Sequence, residues 1–325
     1  MALEASYIKP RRVRLLDAKT SISLAELGDS VDAYSVQPNQ GGEYSLLALD
    51  KVLYSGTLKN EQQILIADCP KYGRVLVLDG ELQSSEVDER LYHELLVHPA
   101  MLTHPNPRRI LMIGGAEGGS LREIFVHRSV EAVTLLGCQS ELISLSKEHL
   151  HSWHQGAFSD PRVHVIDGCP REFLSDDPVR YDVIICDLLD LDLHDENHSN
   201  YTKQFFALLR SRLAAGGILA CQGMQLSEGR DEHFVLKRTV ASVFSEVHSY
   251  HAMIPSFLSD WAFIIASDWF NPKKMTEKAV NDITASRLKG HQLRYLDGEF
   301  LLSCFLFPKQ LRSRMTEAGI CLEDP

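Results

Sequence analysis

A glycine-rich turn between an apolar run and a helical stretch is the part of this sequence best suited to bind a ligand. The segment RRILMIGGAEGGSLREIFVHRS covers residues 108–129, with Glu117 in the turn. The glycines around it are Gly114, Gly115, Gly118 and Gly119. Small residues let a ligand approach the backbone, and the following helix offers unpaired N–H groups. A glutamate there would repel a pyrophosphate but suits an amino group, which favours an S-adenosyl-type ligand over a dinucleotide; a purely structural turn is the alternative.

Two further apolar runs are followed at once by acidic residues. Asp167 and Gly168 come directly after VHVI, and Asp187 ends the run YDVIICD. In an open parallel sheet, ligands bind outside the carboxyl ends of the strands, so we expect these carboxylates and the glycine-rich turn to meet at one cleft. Capping of the next helix is the alternative role for each aspartate.

An acidic segment continues from the second of these runs. Between Asp187 and Glu196 the chain also carries Asp190, Asp192 and Asp195. One interpretation is a solvated acidic loop, and the other is an acidic lid that attracts a polycationic substrate. The density of charge alone does not distinguish them.

The elements that must position these groups alternate between strands and helices. Strands are predicted at RILMI, AVTLL, VHVI, YDVIICD and GGILACQ. Helices are predicted from about residue 119, from about 140, near 170–176 and near 202–213. This alternation predicts parallel strands joined by right-handed crossovers, which is a doubly wound, Rossmann-like α/β sheet.

A different pattern precedes that sheet. The runs KVLYSGTL, QQILIAD and GRVLVLDGELQSS are short, rich in β-branched residues and separated by turn residues, which predicts antiparallel strands. The stretch DERLYHELLVHPAMLTHPNP then has helical spacing and ends at the Pro-Asn-Pro of 105–107. We therefore predict a loosely structured lead-in over residues 1–45, a β-strand domain with its linking helix over 46–105, and a Rossmann-like domain over 106–325.

Composition limits the classes of partner. The formal net charge of the 325 residues is −11, which disfavours a nucleic-acid groove and suits cationic ligands. Seven scattered cysteines without a Cys-x-x-Cys pair predict reduced thiols and no zinc site. No apolar run approaches the roughly 20 residues that span a bilayer, although the basic N-terminus would also suit a targeting arm. We expect a cytoplasmic protein without nucleic-acid or membrane partners.

Histidine and cysteine residues are weaker candidates for chemistry. His93, His98 and His104 match no tight metal-ligand spacing, so we expect surface histidines and predict no metal site. The segment HDENHS at 194–199 is likewise not predicted to bind a metal. Cys186 is expected to be a small apolar residue of a buried strand rather than a nucleophile.

Three aromatic residues late in the chain have two alternative roles. Tyr250, Phe257 and Trp261 are expected in strands, where they would either fill the core or line a cleft that stacks on a cationic ligand.

Six segments carry a recognisable family pattern. They are YGRVLVLDGELQSSEVDERLYHELLVHPAMLTHPNP, ILMIGGAEGGSLREI, YDVIICDLLD, NYTKQFFALL, GGILACQG and IPSFLSDWAFIIAS. Together they resemble the polyamine aminopropyltransferases, the family of spermidine and spermine synthases, over roughly residues 50–310. Through LQSSEVDERLYHE, IPSF followed by Trp261, and RLKGHQLRYLDGEFL, the chain looks most similar to the thermospermine synthases. The resemblance implies a methyltransferase-type Rossmann-like sheet with a small N-terminal antiparallel β domain, in a homodimer or homotetramer.

The resemblance also implies a reaction. Members transfer the aminopropyl group of decarboxylated S-adenosylmethionine, a co-substrate, to a polyamine and release methylthioadenosine, without a prosthetic group. The acceptor would be spermidine, giving thermospermine or spermine, or putrescine, giving spermidine. A neutral amine must attack the methylene next to a sulfonium, so the enzyme deprotonates an ammonium and holds two reactants in line.

Roles follow from positions within the matching motifs. Asp187 matches the catalytic aspartate, which accepts the amine proton or orients the amine, and Asp167 matches the residue that recognises the adenine amino group. The residues assigned to the donor are Gln62, Gly114, Gly115, Glu117, Gly118, Asp167 and Gly168. Those assigned to the acceptor are Gln83, Tyr92, His93, Asp190 and Trp261.

Several positions depart from the family pattern. Gly137 stands where the family places an acid that accepts from both ribose hydroxyls, a loss of about 1.5–3 kcal/mol if nothing compensates. Gln139 replaces the second acid, Ala116 lies within the glycine turn, and Leu191 stands where a proline follows the second aspartate. Three hypotheses therefore stay open: an aminopropyltransferase, a non-catalytic polyamine-binding paralogue, or an enzyme of this scaffold with a different adenosyl donor or reaction.

Overall fold

A computed structural model of the chain describes residues 33–38, 44–193, 198–288, 290 and 292–325. The chain divides into two compact units, Met1–Glu89 and Arg90–Pro325. The domain limits drawn from the sequence stay a prediction.

Antiparallel strands build the first unit. They are β1 (Ala33–Pro38), β2 (Tyr44–Leu49), β3 (Lys51–Thr57), β4 (Gln63–Cys69), β5 (Gly73–Leu78) and β6 (Glu81–Ser85). Strands β1 and β2 pair with each other, and β3 to β6 form a four-stranded sheet in chain order. The predicted N-terminal antiparallel domain is confirmed. Strand β1 lies inside the 1–45 segment that we expected to be loosely structured. The strand was not predicted because the turn-forming residues PNQGG begin at its last residue.

A seven-stranded sheet forms the centre of the second unit. Its strands are β7 (Arg109–Gly114), β8 (Ala132–Leu136), β9 (Val163–Ile166), β10 (Tyr181–Asp187), β11 (Leu213–Gln225), β12 (Glu246–Ile254) and β13 (Ser259–Ser267). Their order is β12-β13-β11-β10-β7-β8-β9, with β13 antiparallel to both of its neighbours and β7 to β11 parallel. This is the Rossmann-like, methyltransferase-type sheet that the sequence analysis expected. The five predicted parallel strands are confirmed.

Helices cover this sheet. They are α1 (Glu89–Thr103), α2 (Gly119–Phe125), α3 (Ser140–His149), α4 (His151–His154), α5 (Pro170–Asp176), α6 (Lys203–Arg212), α7 (Glu232–Ala241), α8 (Glu277–Arg287), α9 (Gly298–Ser303) and α10 (Lys309–Arg314). Three helices, α6, α8 and α9, are capped at their N-termini by polar side chains. Thr202, Thr276 and Asp297 each accept a hydrogen bond from a backbone N–H group in the first turn. Within the described residues, no helix combines the length and the apolar character needed to cross a bilayer.

The topology has one switch point. From β7 the chain first builds outward through β8 and β9, and then returns to add β10 on the other side of β7. The carboxyl ends of β7 and β10 are therefore neighbours whose connections leave in opposite directions, which opens a crevice between them. Gly114 and Asp187 are paired in register at this point.

A buried carboxylate fastens α1 to the C-terminal part of the chain. Glu94, 1% exposed, accepts the backbone N–H groups of Arg294, Tyr295 and Leu296 at 2.7, 2.9 and 3.0 Å. Residues 294–296 of the RLKGHQLRYLDGEFL segment are thereby held against the helix that carries Tyr92.

Replacing Glu94 with glutamine should destabilise the fold. A glutamine offers one acceptor oxygen and turns an NH₂ group toward N–H donors, which leaves at least one buried donor unsatisfied. We expect the free energy of unfolding to fall by about 1–3 kcal/mol, measured by urea denaturation. The control is Asp282→Asn, which breaks the exposed Lys278–Asp282 pair and should change stability little; equal losses in the two variants would refute the anchoring role of Glu94.

Candidate active site

The glycine-rich turn is built around Asp187. Gly114 has a left-handed backbone with φ of 81°, and a Cβ at this position would lie 1.9 Å from the Asp187 carbonyl oxygen. At Gly115, a Cβ would lie 3.3 Å from Asp187 Oδ2. Only glycine allows β7 and β10 to approach this closely, so the turn and the aspartate form one structural feature.

Helix α1 supplies the second side of the site. The Tyr92 hydroxyl donates to Asp187 Oδ1 at 2.8 Å. The other carboxylate oxygen, Oδ2, is buried and has no hydrogen-bond partner among the described residues. Asp187 therefore presents one oxygen that is held in place and one that is available to a ligand.

His93 and Glu117 form the third side of the candidate site. The imidazole of His93 lies over the start of α2, because a Cβ at Gly119 would be only 2.4 Å from its ring. His93 Nε2 is 3.6 Å from Glu117 Oε1, and the two side chains are 1% and 15% exposed. Gly119 was not among the residues assigned from the sequence, although its place at the start of a helix after a glycine turn was the available signal.

The expectation that the histidines of α1 and the one just after it lie at the surface is wrong. His93, His98 and His104 are all buried. His98 lies between Glu123, 3.0 Å from its Nε2, and His127, 2.9 Å from its Nδ1. Helical spacing identified the helix, but it does not reveal how many faces of a helix are covered when partners come from distant segments.

Burial and charge together tune Asp187. Burial first, and then the nearby Glu117 charge, raise the pKa of its carboxyl to about 6, while His93, the Tyr92 hydrogen bond and the nearby Ser120 hydroxyl oppose the shift. Burial and then the Asp187 charge raise the pKa of Tyr92 well above its ordinary value, so its hydroxyl stays a donor. A carboxylate that changes protonation near neutral pH is suited to general acid–base chemistry.

The same groups can hold a cation. One ligand atom each from His93, Glu117 and Asp187 lies within 4.8 Å of the others. Two carboxylates and an imidazole suit a metal ion or an alkylammonium group. Sequence spacing could not reveal this set, since its members come from α1, the glycine turn and the end of β10.

Aromatic rings extend from Tyr92. Its ring is 6.0 Å from that of Phe257, which is 4.8 Å from that of Trp261. Trp261 Nε1 is buried, and no described residue accepts its hydrogen bond. Phe257 lies in a 3-10 turn at Pro255–Phe257 rather than in the expected strand. The third aromatic candidate, Tyr250, is fully buried in the core.

Asp190 lies on the exposed side of this group. Its Oδ1 accepts from Gln222 Nε2 at 3.2 Å, and the same amide donates to the Leu188 carbonyl at 2.9 Å. Gln222 therefore organises the segment after β10, and its place at the end of the run GGILACQ was the signal for it. The predicted acidic lid extends into residues 194–197, so Asp195 and Glu196 lie outside the described residues.

The predicted donor side includes the carboxyl ends of β8 and β9. Gly137 follows β8 with φ of 74°, and a Cβ there would lie 3.0 Å from Pro170 Cγ. Next to it, the Cys138 thiol donates to the Gly114 carbonyl at 3.1 Å. Asp167 and Gly168 follow β9 and are exposed. Burial raises the pKa of the Cys138 thiol most, followed by the charges of Glu117, Asp187 and Asp167.

The two assigned glutamines lie in the first unit. Gln62 is buried and donates to Asp79 Oδ2 at 3.1 Å, whereas Gln83 donates to the Glu81 carbonyl at 3.3 Å. Their contact with a substrate stays a prediction.

Asp187→Asn should stabilise the fold at high pH. A buried carboxyl whose pKa is raised binds its proton more tightly in the folded state, so wild-type stability falls as pH rises from about 4 to about 6. The amide cannot ionise, and we expect its advantage to reach roughly 3 kcal/mol at pH 8 and to be much smaller at pH 4. Thermal unfolding across pH measures this, with the exposed Asp282→Asn as control; a pH-independent difference would contradict the assignment.

Known proteins match both parts of the chain. Residues 89–277 match the spermine/spermidine synthase domain, and residues 35–86 match the spermidine synthase tetramerisation domain. The polyamine aminopropyltransferase 2 of Pseudomonas aeruginosa is 43% identical over 311 residues, which is 95% of this chain and 86% of that protein. The polyamine aminopropyltransferase of Aeropyrum pernix is 37% identical over 270 residues, which is 82% of this chain and 86% of that protein.

Solved structures agree with these relatives. The crystal structure of spermidine synthase from Thermotoga maritima aligns with a TM-score of 0.77 and 26% identity, covering 87% of this chain and 94% of that one. A spermidine synthase in complex with the transition state analogue AdoDATO aligns with the same score and identity, covering 87% and 93%. By sequence and by fold, this chain belongs to the spermine/spermidine synthase family of polyamine aminopropyltransferases, and it is a transferase.

Proposed function

We propose that this enzyme transfers the aminopropyl group of decarboxylated S-adenosylmethionine to a polyamine, with Asp187 accepting the proton of the attacking amine. The observation that carries this proposal is the meeting of Asp187, Tyr92, His93 and Glu117 at the switch point of the sheet. Two carboxylates beside an imidazole suit the ammonium groups of both reactants.

The proposed reaction is a displacement at carbon. The amine nitrogen forms a bond to the methylene next to the sulfonium, and the carbon–sulfur bond breaks with its electron pair going to sulfur, which releases methylthioadenosine. The proton lost by the amine goes to Asp187. The raised pKa of this carboxyl supports the role, because a base that titrates near neutral pH accepts a proton readily. Tyr92 keeps the carboxylate oriented through Oδ1 and leaves Oδ2 for the amine.

The remaining residues divide between the two substrates. On the donor side, Glu117 receives the amine end and the glycine turn lies along the nucleoside. On the acceptor side, Asp190 holds a distal ammonium, and Trp261 with Phe257 lines the methylene chain. The donor set further includes Gln62, Asp167 and Gly168, and the acceptor set includes Gln83.

We assign the acceptor as spermidine, giving thermospermine or spermine, with putrescine as the other candidate. The resemblance of the RLKGHQLRYLDGEFL segment to thermospermine synthases supports the longer amine. The enzyme acts in the cytoplasm as a homo-oligomer, which the match of residues 35–86 to a tetramerisation domain and the free cysteines support.

A different adenosyl donor is the second candidate, and Gly137 favours it. The left-handed backbone at Gly137 and the neighbouring Pro170 leave no unstrained place for the carboxylate that would hold the ribose. Titration calorimetry with decarboxylated S-adenosylmethionine, S-adenosylmethionine and methylthioadenosine separates the candidates when it is combined with a product assay. Product with any polyamine supports the proposal. Binding of the unmodified donor without product favours the second candidate, and the absence of any adenosyl binding favours a polyamine-binding role.

The pH profile should report Asp187. We expect kcat/KM to fall below about pH 6, because the protonated carboxyl no longer accepts the amine proton. Asp187→Asn should lower kcat about 10²–10⁴-fold, measured as methylthioadenosine release under saturating substrates. Asp282→Asn is the control, and an Asp187→Asn enzyme with wild-type kcat would refute the general-base role.

Turnover should not need a metal ion. The cluster of His93, Glu117 and Asp187 holds ammonium groups in the proposed reaction, so we expect the same rate with and without EDTA. Added Zn²⁺ should inhibit competitively with the polyamine, because imidazole and carboxylate ligands attract it to the same place. Loss of activity in EDTA that Zn²⁺ restores would contradict this.

A further inference from the structure

A proline inside α1 leaves one backbone carbonyl without its helical partner. In an α-helix the carbonyl of residue 95 accepts from the N–H of residue 99, and Pro99 has no N–H. The Tyr250 hydroxyl takes that position and donates to the Leu95 carbonyl at 2.9 Å. Both Leu95 and Tyr250 are 0% exposed, so water does not supply the bond.

The same tyrosine ring connects the sheet to the site. Tyr250 on β12 is the register partner of Phe263 on β13, and the two rings stack at 5.4 Å with an interplanar angle of 20°. Phe263 is in turn 5.3 Å from the ring of Tyr92. Tyr92 and Leu95 are three residues apart and therefore neighbours on one face of α1. Tyr250 thus contacts this face of the helix directly at Leu95 and, through Phe263, at Tyr92.

We propose that Tyr250 is a positioning residue that holds the first half of α1, and with it Tyr92 and His93, over Asp187. Burial keeps the Tyr250 phenol protonated, so it acts as a donor only. The next residue along the helix from His93, Glu94, is fixed on its own side by the backbone of residues 294–296. The helix is therefore held from two directions within one turn of the residues that contact Asp187 and Glu117.

A phenylalanine would fill the same volume, which makes Tyr250→Phe a test of one hydroxyl. A second variant, Tyr250→Phe with Pro99→Ala, returns an N–H to position 99 and satisfies the Leu95 carbonyl within the helix, but it does not restore the bond to β12. Pro99→Ala alone keeps the hydroxyl. Tyr181→Phe is the matched control, since this buried tyrosine donates to Asp177 at 2.7 Å at the opposite end of β10 from the site.

The expected pattern separates positioning from stability. Tyr250→Phe should lower kcat about tenfold with little change in KM. The variant should still bind its substrates, but Tyr92 and His93 would no longer be held in line with Asp187. The double variant should recover the thermal stability of the wild type but not its kcat. Pro99→Ala and Tyr181→Phe should keep wild-type kcat, whatever their effect on stability.

Two results would overturn the inference. One is an unchanged kcat in Tyr250→Phe, and the other is a double variant that recovers kcat together with stability, since the hydroxyl would then only satisfy a carbonyl.

A second test does not depend on turnover. The rate test rests on the proposed aminopropyl transfer, whereas hydrogen–deuterium exchange of α1 can be measured without it. Faster exchange of residues 90–98 in Tyr250→Phe and in the double variant supports the inference even if the wild type makes no product, an outcome that would refute the proposed function alone. Unchanged exchange in both refutes the positioning role.

Discussion

The second unit depends on how closely two parallel strands approach at their carboxyl ends. The clearance between the Gly114 backbone and the Asp187 carbonyl leaves no room for a Cβ, so β7 and β10 can end side by side only with glycine at that point. That contact sets where the turn begins and therefore where α2 begins. Because Gly119 then lies under the His93 ring, the register between β7 and β10 also determines how near α1 comes to the Asp187 carboxylate.

The charge distribution follows from this geometry. Gathering Asp187 and Glu117 in a partly desolvated space is unfavourable without a cation, and the raised pKa of Asp187 expresses that cost. Tyr92 and His93 offset part of it by hydrogen bonding and by proximity. The free site is thus poised for positive charge, and an ammonium group would lower the energy of the whole cluster on binding. The net charge of −11 on the chain also attracts cationic ligands, over a longer range than the site itself.

Local patterns predicted much of the fold and the part of the site that lies at strand ends. The run RILMI and its glycine turn, the run YDVIICD with Asp187, and the helix that carries Tyr92 all have signals within a dozen residues. The burial of His98 was mispredicted because its partners, Glu123 in α2 and His127 just after it, are 25 and 29 residues away along the chain. The bond from Tyr250 to Leu95 joins residues 155 positions apart, and only the three-dimensional arrangement shows that Pro99 makes it necessary. Sequence patterns therefore could not predict the contacts between elements that are distant along the chain.

Gly137 illustrates the same limit at the predicted donor side. As a sequence difference it looks like a deleted carboxylate, which a single substitution would restore. In the structure its backbone is left-handed, its N–H donates to the Ile166 carbonyl at 3.3 Å, and the ring of Pro170 occupies the space beside it. An acidic side chain there would be strained and would meet the start of α5. The backbone and Pro170 thus leave no room for a ribose-binding carboxylate at the end of β8. Under the proposed function, binding of an adenosyl donor must therefore depend more on the glycine turn and Glu117 than on contacts to the ribose.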